Sequence, residues 1–262
     1  MTHQTSPFGI VGLGALGRAL ETFVAPLNQR PPGAVLFCVK AFALEAALEE
    51  QANHWPVEVP FVVMCNGYVW PIVERQARNL NGRPVRIGMT TIGSTIDESG
   101  ALKIFSKDTI TAWGPWGNFK DKPAKTELDL LRAFPNSSWH DDIRPMIRQK
   151  WILNVVINTL GGVYRLPSNS HVQAHRDEAE MLLTEALDLS QKLFPGVSSP
   201  IAYDEMREKL WSLVQATGGN ENSMAKDIRL KKMTESEFLA GIALDFDDFP
   251  TMKRLHLKII KG

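Results

Sequence analysis

The first part of the chain alternates short apolar runs with longer stretches of mixed polarity. Phe8 to Val11 is apolar and leads through several glycines into a helical pattern that ends near Leu27. Apolar runs that are each followed by polar residues or glycine predict further strands at 34–39, 60–64, 85–91 and 110–113. Because these strands alternate with helices, the pattern predicts a parallel sheet. The segment 97–100 has the composition of a hairpin turn and predicts an antiparallel extension of that sheet.

The remainder of the chain lacks strand patterns. Apolar positions at helical spacing predict helices over 142–162, 170–194, 200–216 and 223–243. We therefore expect an α/β fold with two domains. Residues 1–141 would form a truncated, Rossmann-like parallel sheet domain, and residues 142–262 an all-helical domain.

Composition narrows the class of partner. Lys and Arg number 29 together, as do Asp and Glu, so no long-range field favours nucleic acid or an anionic membrane. The apolar runs are too short to span a bilayer. Cys38 and Cys65 lie inside apolar runs, which favours buried free thiols and a reducing cytoplasm. We expect a small-molecule ligand.

A glycine-rich turn follows the first strand and reads Gly12-Leu13-Gly14-Ala15-Leu16-Gly17. In dinucleotide-binding folds the first glycine permits the tight turn, the second lets the backbone approach the pyrophosphate, and the third packs helix against strand. The helix N-terminus then faces the anion. The turn predicts dinucleotide binding, and a purely structural glycine turn is the alternative.

Three polar positions are expected to meet at one edge of the sheet. Gly12, Lys40 and Asn66 each come just after a predicted strand. Ligands of open parallel sheets bind outside the carboxyl ends of the strands. The sequence therefore predicts a ligand site at this edge.

A polar stripe runs along the first predicted helix of the second domain. Lys150, Asn154 and Asn158 are four residues apart, so a helix presents one ammonium and two amides from the same face. Such groups suit the oxygens of a small polar carbonyl compound. A structural polar network without chemistry is the alternative.

Other polar residues have simpler interpretations. Ser223 can be the N-terminal cap of its helix, a role that Asn222 can also take. Glu235 lies in a charged stretch and can be solvated. His171 and His175 are four residues apart but lack the acidic partner of a zinc motif, so we expect no metal site.

Several motifs in order along the chain resemble the ketopantoate reductase (2-dehydropantoate 2-reductase) family. The resemblance rests on the glycine turn and on two strand ends, Val39-Lys40-Ala41 and Cys65-Asn66-Gly67. In the second half it rests on Trp139-His140-Asp141-Asp142-Ile143-Arg144, the Lys150, Asn154 and Asn158 stripe, Ser223-Met224 with Asp227-Ile228-Arg229, and Thr234-Glu235.

The resemblance implies NADPH-dependent reduction of a 2-keto acid such as ketopantoate to the 2-hydroxy acid, a cytoplasmic reaction of pantothenate biosynthesis. The first domain would bind NADP through the glycine turn, and the second would bind the keto acid and dimerise. Lys150 matches the family's catalytic lysine and Glu235 its essential glutamate. Positions matching substrate or coenzyme contacts are Asn66, Asn154, Asn158, Ser168, Ser223 and, beside the coenzyme, Lys40.

The chain departs from the family pattern at its second strand. By motif, Val39-Lys40-Ala41 matches a later strand, so the family's second and third strands are missing. Their loss would remove much of the adenosine pocket and leave Arg18, Arg30 and Lys40 as basic candidates for a 2′-phosphate. An exposed edge at 34–39 would invite pairing with a second copy, which predicts a homodimer. The alternative function is a shortened, non-catalytic relative that acts in ligand sensing or protein association.

A second departure concerns the substrate. Ser168 stands where the family usually has an asparagine, and the adjacent Asn169 is expected to point elsewhere. Loss of one neutral amide contact costs about 1 kcal/mol. This change would alter the preferred substrate without abolishing binding.

Overall fold

The computed structural model describes residues 5–6, 8–28, 32–97, 99–105, 109–117, 121–197 and 201–261. The chain divides into two compact units, Met1–Ile143 and Arg144–Gly262. In the described residues, the first unit contains the strands and four α-helices, and the second unit is helical. Each unit is described by itself below.

The strands of the first unit are β1 (Ile10–Val11), β2 (Val35–Phe37), β3 (Phe61–Val63), β4 (Val85–Thr90), β5 (Gly93–Ile96), β6 (Leu102–Phe105), β7 (Thr111–Pro115) and β8 (Ser137–Trp139). Six of them form one sheet in the order β1-β2-β3-β4-β7-β8. β1 to β4 are parallel, and β7 is antiparallel to β4. β5 and β6 form a separate antiparallel hairpin around the predicted turn.

The helices of the first unit are α1 (Ala15–Val24), α2 (Leu44–Gln51), α3 (Trp70–Ala77) and α4 (Lys125–Leu131). Those of the second are α5 (Arg144–Tyr164), α6 (Arg176–Leu193), α7 (Tyr203–Ala216), α8 (Ser223–Arg229) and α9 (Pro250–Lys261). Short 3₁₀ segments occur at Ala25–Leu27, Ala41–Ala43, Asn169–His175, Ser236–Phe238 and Ala240–Asp245.

α1 covers one face of the sheet. Its buried residues Ala19 and Leu20 pack in one cluster with Ile10, Leu36 and Val62, which are aligned across β1, β2 and β3. Side chains alternate between the faces of a strand, so the neighbouring apolar residues point to the opposite face.

The opposite face of the sheet is covered by α2 and α3. Phe37, Phe61 and Val63 point there and are fully buried, yet none belongs to the α1 cluster. The buried residues of α2 and α3 are likewise outside that cluster. α1 connects β1 to β2, and α2 connects β2 to β3, so both connections advance in the same direction across the sheet. Because the two helices lie on opposite faces of the sheet, the two crossovers have opposite hands.

This reversal locates the missing strands. In a complete Rossmann sheet of order 3-2-1-4-5-6, the chain leaves strand 1 for strand 2 and returns to strand 4 on the other side of strand 1. The order β1-β2-β3-β4 found here matches strands 1, 4, 5 and 6 of the complete sheet. The junction of β1 and β2 is therefore the point where the helices change faces, and such points hold the ligand crevice.

The outer edge of β1 is covered by the chain's own N-terminal segment. Ser6 N donates to Ile10 O at 2.8 Å, and Thr5 forms an antiparallel bridge with Val11. β2 lies inside the sheet between β1 and β3 and is fully buried. The expected pairing of a second copy with 34–39 is therefore wrong, since that strand has no exposed edge.

Most predicted elements are present, but several differ, and the helix predicted over 170–194 begins only at Arg176, after a 3₁₀ segment. The single helix predicted over 223–243 is wrong, because α8 ends at Arg229 and two 3₁₀ segments follow. The sequence also did not predict α4 and β8, nor the C-terminal α9. In the second unit, α5 is central and packs against α6, α8 and α9.

Candidate functional site

The glycine turn of the first unit leaves no room for side chains at two of its glycines. Gly12 has φ +90°, and a Cβ there would lie 2.7 Å from Val39 Cγ1 and 2.9 Å from Val39 N. A Cβ on Gly17 would overlap the carbonyl oxygen of Gly12. The first glycine thus sits against the end of β2, and the third lets α1 pack on the turn.

Gly14, unlike Gly12 and Gly17, has room for a side chain. It is the N-cap residue of α1, it is exposed, and a Cβ added there would meet nothing within 4 Å. The N-terminus of α1 therefore opens onto free space, with its backbone N–H groups available to an anion. Arg18 folds back over the turn and donates from Nε to Leu13 O at 3.1 Å.

The three remaining residues of the turn, Leu13, Ala15 and Leu16, are half-buried. Leu13 and Leu16 pack against the α1 cluster. Their side chains anchor the turn, so only their backbone is offered to a ligand.

The ends of β1, β2 and β3 are held side by side. Cys38 N donates to Val11 O at 2.8 Å, and Cys65 Sγ to Val39 O at 3.1 Å. Lys40 and Asn66 follow these contacts directly, and both are half-buried. The loop bearing Lys40 thus borders the β1–β2 crevice opposite the glycine turn. Arg30 lies outside the described residues.

The cysteines in these loops are thiols. Burial raises the pKa of Cys38 to about 12, and Cys65 is a hydrogen-bond donor. Both are free. Cys38 therefore provides no thiolate for chemistry at neutral pH.

In the second unit, the predicted polar stripe lies along the middle of α5. Lys150 and Asn154 are half-buried and Asn158 is 8% exposed. The intervening positions, Trp151, Ile152, Val155 and Val156, are buried core residues. The stripe is therefore the polar side of an otherwise apolar central helix.

Glu235 is held close to the start of this stripe. Trp151 Nε1, one residue after Lys150, donates to Phe238 O at 3.2 Å, and Phe238 N donates to Glu235 O at 3.0 Å. Glu235 itself is 5% exposed. The interpretation of Glu235 as a solvated residue is thus wrong, because it leads into a 3₁₀ turn packed on α5.

Ser223 begins α8, but the cap of this helix is Asn222. Asn222 Oδ1 accepts from Ala225 N at 2.9 Å, and its Nδ2 donates to Ile157 O at 3.3 Å. Ser223 is exposed. Since Ile157 precedes Asn158, this contact brings the start of α8 to the far end of the stripe.

The loop containing Ser168 reaches the same region through its backbone. Asn169 N donates to Asn220 O at 2.8 Å, two residues before the α8 cap. Ser168 Oγ lies 2.9 Å from both Ser170 Oγ and His171 Nδ1. Asn169 Nδ2 instead donates to Thr217 Oγ1 at 2.9 Å, so this amide points elsewhere, as expected.

Two residues that assemble this region, Trp151 and Gly161, were not predicted from the sequence. The indole of Trp151 ties the Glu235 segment to α5. Gly161 provides the space for Asn222, because a Cβ there would overlap the Asn222 amide. A glycine pair inside a long helix, Gly161-Gly162, was the available signal for close packing.

The described residues contain no group of three or more His, Cys, Asp or Glu that could hold a metal ion. Their helices include none that is long and apolar enough to cross a membrane.

Sequence comparison gives two matches to one family. The model of ketopantoate reductase PanE/ApbA matches residues 20–118, and that of ketopantoate reductase PanE/ApbA C terminal matches residues 142–246. The 2-dehydropantoate 2-reductase of Shigella flexneri is 28% identical over 211 residues, which cover 80% of this chain. The chain spans only 66% of that relative's length.

Structural comparison finds the same architecture in solved proteins. The ternary structure of D-mandelate dehydrogenase with NADH and anilino(oxo)acetate has a TM-score of 0.78 at 16% identity, covering 96% of each chain. A dimeric ketopantoate reductase from Staphylococcus aureus has a TM-score of 0.66 at 15% identity, covering 87% of this chain and 77% of that chain. These likenesses confirm the predicted fold class, a Rossmann-like parallel sheet followed by a helical region.

Proposed function

Because the chain belongs to the ketopantoate reductase family, we propose that it reduces a 2-keto acid, such as ketopantoate, to the 2-hydroxy acid with NADPH. The observation that carries this proposal is the surroundings of Lys150. It stands on the polar face of a buried helix, and the buried Glu235 begins the 3₁₀ turn whose Phe238 carbonyl accepts from Trp151, the next residue of that helix. An ammonium and a carboxylate at such a place suit proton transfer better than solvation.

The first unit would hold the coenzyme at the β1–β2 crevice. Gly12 and Gly17 shape the turn, and the open space at Gly14 lets a pyrophosphate approach the N-terminus of α1. Lys40 and Asn66 border the same crevice and would contact the nicotinamide half. NADPH, when bound there, supplies the hydride.

D-mandelate dehydrogenase supports the proposal that this fold binds a dinucleotide. That protein matches this chain over 96% of both lengths, and its solved structure contains NADH.

The second unit would bind the keto acid along the α5 stripe. Lys150 would donate a proton to the carbonyl oxygen, and its charge would stabilise the alkoxide that forms. Asn154 and Asn158 would donate to the substrate carboxylate. Glu235 would accept from a substrate hydroxyl or from the Lys150 ammonium and so fix its orientation.

Ser223 and Ser168 would contact the part of the substrate farthest from Lys150. The Asn222 contact with Ile157 places the start of α8 near Asn158, and the Ser168 loop pairs with the segment just before it. Small hydroxyls at this end offer fewer hydrogen bonds than an amide at position 168. The site would therefore accept keto acids with a less polar distal group.

The proposal includes assembly and location. A homodimer is supported by the dimeric relative from Staphylococcus aureus and uses a surface other than the buried β2. Cys38 and Cys65 are not joined in a disulfide, which suits the reducing cytoplasm. The balanced charge favours neither nucleic acid nor a membrane surface as a partner.

The test is an assay of the purified chain for oxidation of NADPH by ketopantoate and by a panel of 2-keto acids with apolar or polar side chains. Turnover that requires both reactants, and yields the 2-hydroxy acid, is expected. Coenzyme binding without turnover of any keto acid would instead favour the non-catalytic alternative. Failure to bind coenzyme would refute the proposed function.

A further inference from the structure

We propose that the first unit contains a second ligand site, which binds a free aromatic α-amino acid in a cavity lined by Arg86, Trp116 and Asp121. The cavity has a volume of about 410 Å³, within the range of roughly 300–1,000 Å³ that is typical of small-molecule sites. Its lining combines both signs of charge with an aromatic ring, which a zwitterion with a flat side chain complements. The inference is independent of the proposed reductase activity.

The cavity lies at the edge of the sheet opposite the glycine turn. Its lining residues Arg83 and Pro84 lead into β4, and Trp116, which follows β7, donates from its backbone N to Val85 O at 2.9 Å. Because β1 to β4 are parallel and β7 is antiparallel to β4, these residues stand at the amino ends of the parallel strands. The glycine turn follows the carboxyl end of β1, so a ligand in the cavity does not occupy the coenzyme crevice.

Two buried arginines form the part of the lining that would bind the carboxylate. Arg86 is 3% exposed, and its Nε donates to Glu127 Oε1 at 3.1 Å, whereas its Nη1 lies 3.5 Å from Asp121 Oδ2, a long and weak contact. Arg83 is fixed, because its Nη1 and Nη2 donate to four backbone carbonyls at 2.7–2.9 Å and to no carboxylate. Its Nε has no acceptor among the described residues. A carboxylate would therefore bind the Nη1 side of Arg86, in the positive field of Arg83 and Lys122.

Asp121 and Trp116 provide the contacts for the rest of the amino acid. The Asp121 side chain is 39% exposed and only loosely held on Arg86, so its carboxylate can turn to accept from a ligand ammonium. The Trp116 ring packs edge-on against Trp70, with 4.7 Å between the ring centroids and 76° between the planes. This packing fixes the ring, and Ala77 adds an apolar side chain to the same lining. A flat aromatic side chain suits such a rigid surface.

The test is a calorimetric titration of the full chain with L-phenylalanine at low salt. Saturable binding with a Kd of about 1 mM or below is expected. 3-Phenylpropionate, which lacks the ammonium, and phenethylamine, which lacks the carboxylate, should each bind about tenfold more weakly, because each loses one charged contact. Equal affinity for 3-phenylpropionate and L-phenylalanine would overturn the amino-acid assignment, and no saturable binding of L-phenylalanine would overturn the site itself.

Asp121→Asn tests the ammonium contact without altering the buried arginines. It should weaken L-phenylalanine by about tenfold and leave 3-phenylpropionate within about threefold, since only the former carries an ammonium. Asp129→Asn, which neutralises a half-buried carboxylate of α4, is the matched control and should bind L-phenylalanine as the wild type does. Equal effects of Asp121→Asn on both ligands would show that Asp121 does not bind the ammonium and would overturn the assignment.

Ala77→Phe tests the location. Ala77 is half-buried at the end of α3 and lines the cavity, so a phenyl group there should fill it and weaken L-phenylalanine by about tenfold or more. Ala46→Phe, at an exposed position of α2, is the matched control. Gly14→Val and Asn154→Ala, which alter the proposed coenzyme and keto-acid sites, should leave L-phenylalanine binding unchanged. Loss of binding in either of these two, or equal affinity of Ala77→Phe and Ala46→Phe, would place the ligand elsewhere and overturn the inference.

Discussion

The side-chain amide of Asn222 donates to the carbonyl of Ile157 at 3.3 Å while its Oδ1 caps α8. One side chain thus begins one helix and ties it to another. The tie joins the residue before Ser223 to the residue before Asn158. In the proposed reductase, Asn222 is therefore a positioning residue that sets the distal end of the substrate site.

Replacing Asn222 separates its two roles. Asn222→Ala loses both the cap and the contact with α5, and should lower stability by about 1–3 kcal/mol. Asn222→Ser keeps a capping oxygen but cannot reach Ile157, so it should melt closer to the wild type. Both variants should raise KM for the keto acid more than they lower kcat. If Asn222→Ser has the KM of the wild type, the hydrogen bond from Asn222 to Ile157 does not position the substrate site.

Gly161→Ala tests the packing that makes this contact possible. The added Cβ would overlap the Asn222 amide, which is fixed by its two hydrogen bonds and cannot simply rotate away. We expect a loss of about 1–3 kcal/mol in a thermal or urea melt, although alanine is the better helix former. Gly219→Ala is the matched control, because a Cβ there meets nothing within 4 Å. Equal melting of the two variants would contradict the overlap.

The sequence predicted the parallel sheet and the glycine turn because each is a local pattern. The strand ends carrying Gly12, Lys40 and Asn66 followed from the same patterns. What it could not predict depends on contacts between distant residues. The Thr5 bridge to Val11 involves a segment with no strand pattern of its own, and the face covered by α1 is set by the whole sheet.

The second unit shows the same limit. The spacing of Lys150, Asn154 and Asn158 predicted one helix face correctly. Continuous apolar periodicity over 223–243 suggested one helix, but the actual path turns so that Phe238 can accept from Trp151 and Gly241 can pack on His256. Tertiary contacts of this kind override local propensity.

Gly14→Val should separate coenzyme binding from folding. A side chain at this position meets no protein atom, so the variant should melt within a few degrees of the wild type. The same side chain would fill the space in front of the α1 N-terminus and abolish NADPH binding in a fluorescence titration. Gly12→Val is the contrasting variant, because its clash with Val39 should destabilise the fold itself. Normal coenzyme affinity in Gly14→Val would show that the glycine turn has a structural role and does not bind the coenzyme.

Lys150→Ala should remove the proposed proton donor. Proton transfer and charge stabilisation each contribute about 10² or more, so kcat should fall by about 10⁴ while NADPH still binds. Lys231→Ala, which removes an exposed lysine of the same unit, should leave kcat unchanged. Rates measured under saturating keto acid distinguish this loss from weaker substrate binding. Unchanged kcat in Lys150→Ala would exclude it as the acid.

His256 should make the second unit sensitive to acid. It is 2% exposed, its Nδ1 has no hydrogen-bond partner among the described residues, and its ring lies against Gly241. Burial lowers its pKa below the usual value, an effect that the nearby charge of Glu237 opposes only in part. As pH falls through about 6.5, the unfolded chain takes up this proton before the folded chain does.

The unfolded state therefore binds more protons in this window, and stability should decrease as pH falls from about 7.5 to 5. His256→Leu removes this contribution, so its melting temperature should change less over the same range. His54→Leu, which replaces an exposed histidine of the first unit, controls for the loss of an imidazole. Melting curves at half-unit pH intervals measure the difference. A His256→Leu profile parallel to that of the wild type would show that other groups cause the acid sensitivity.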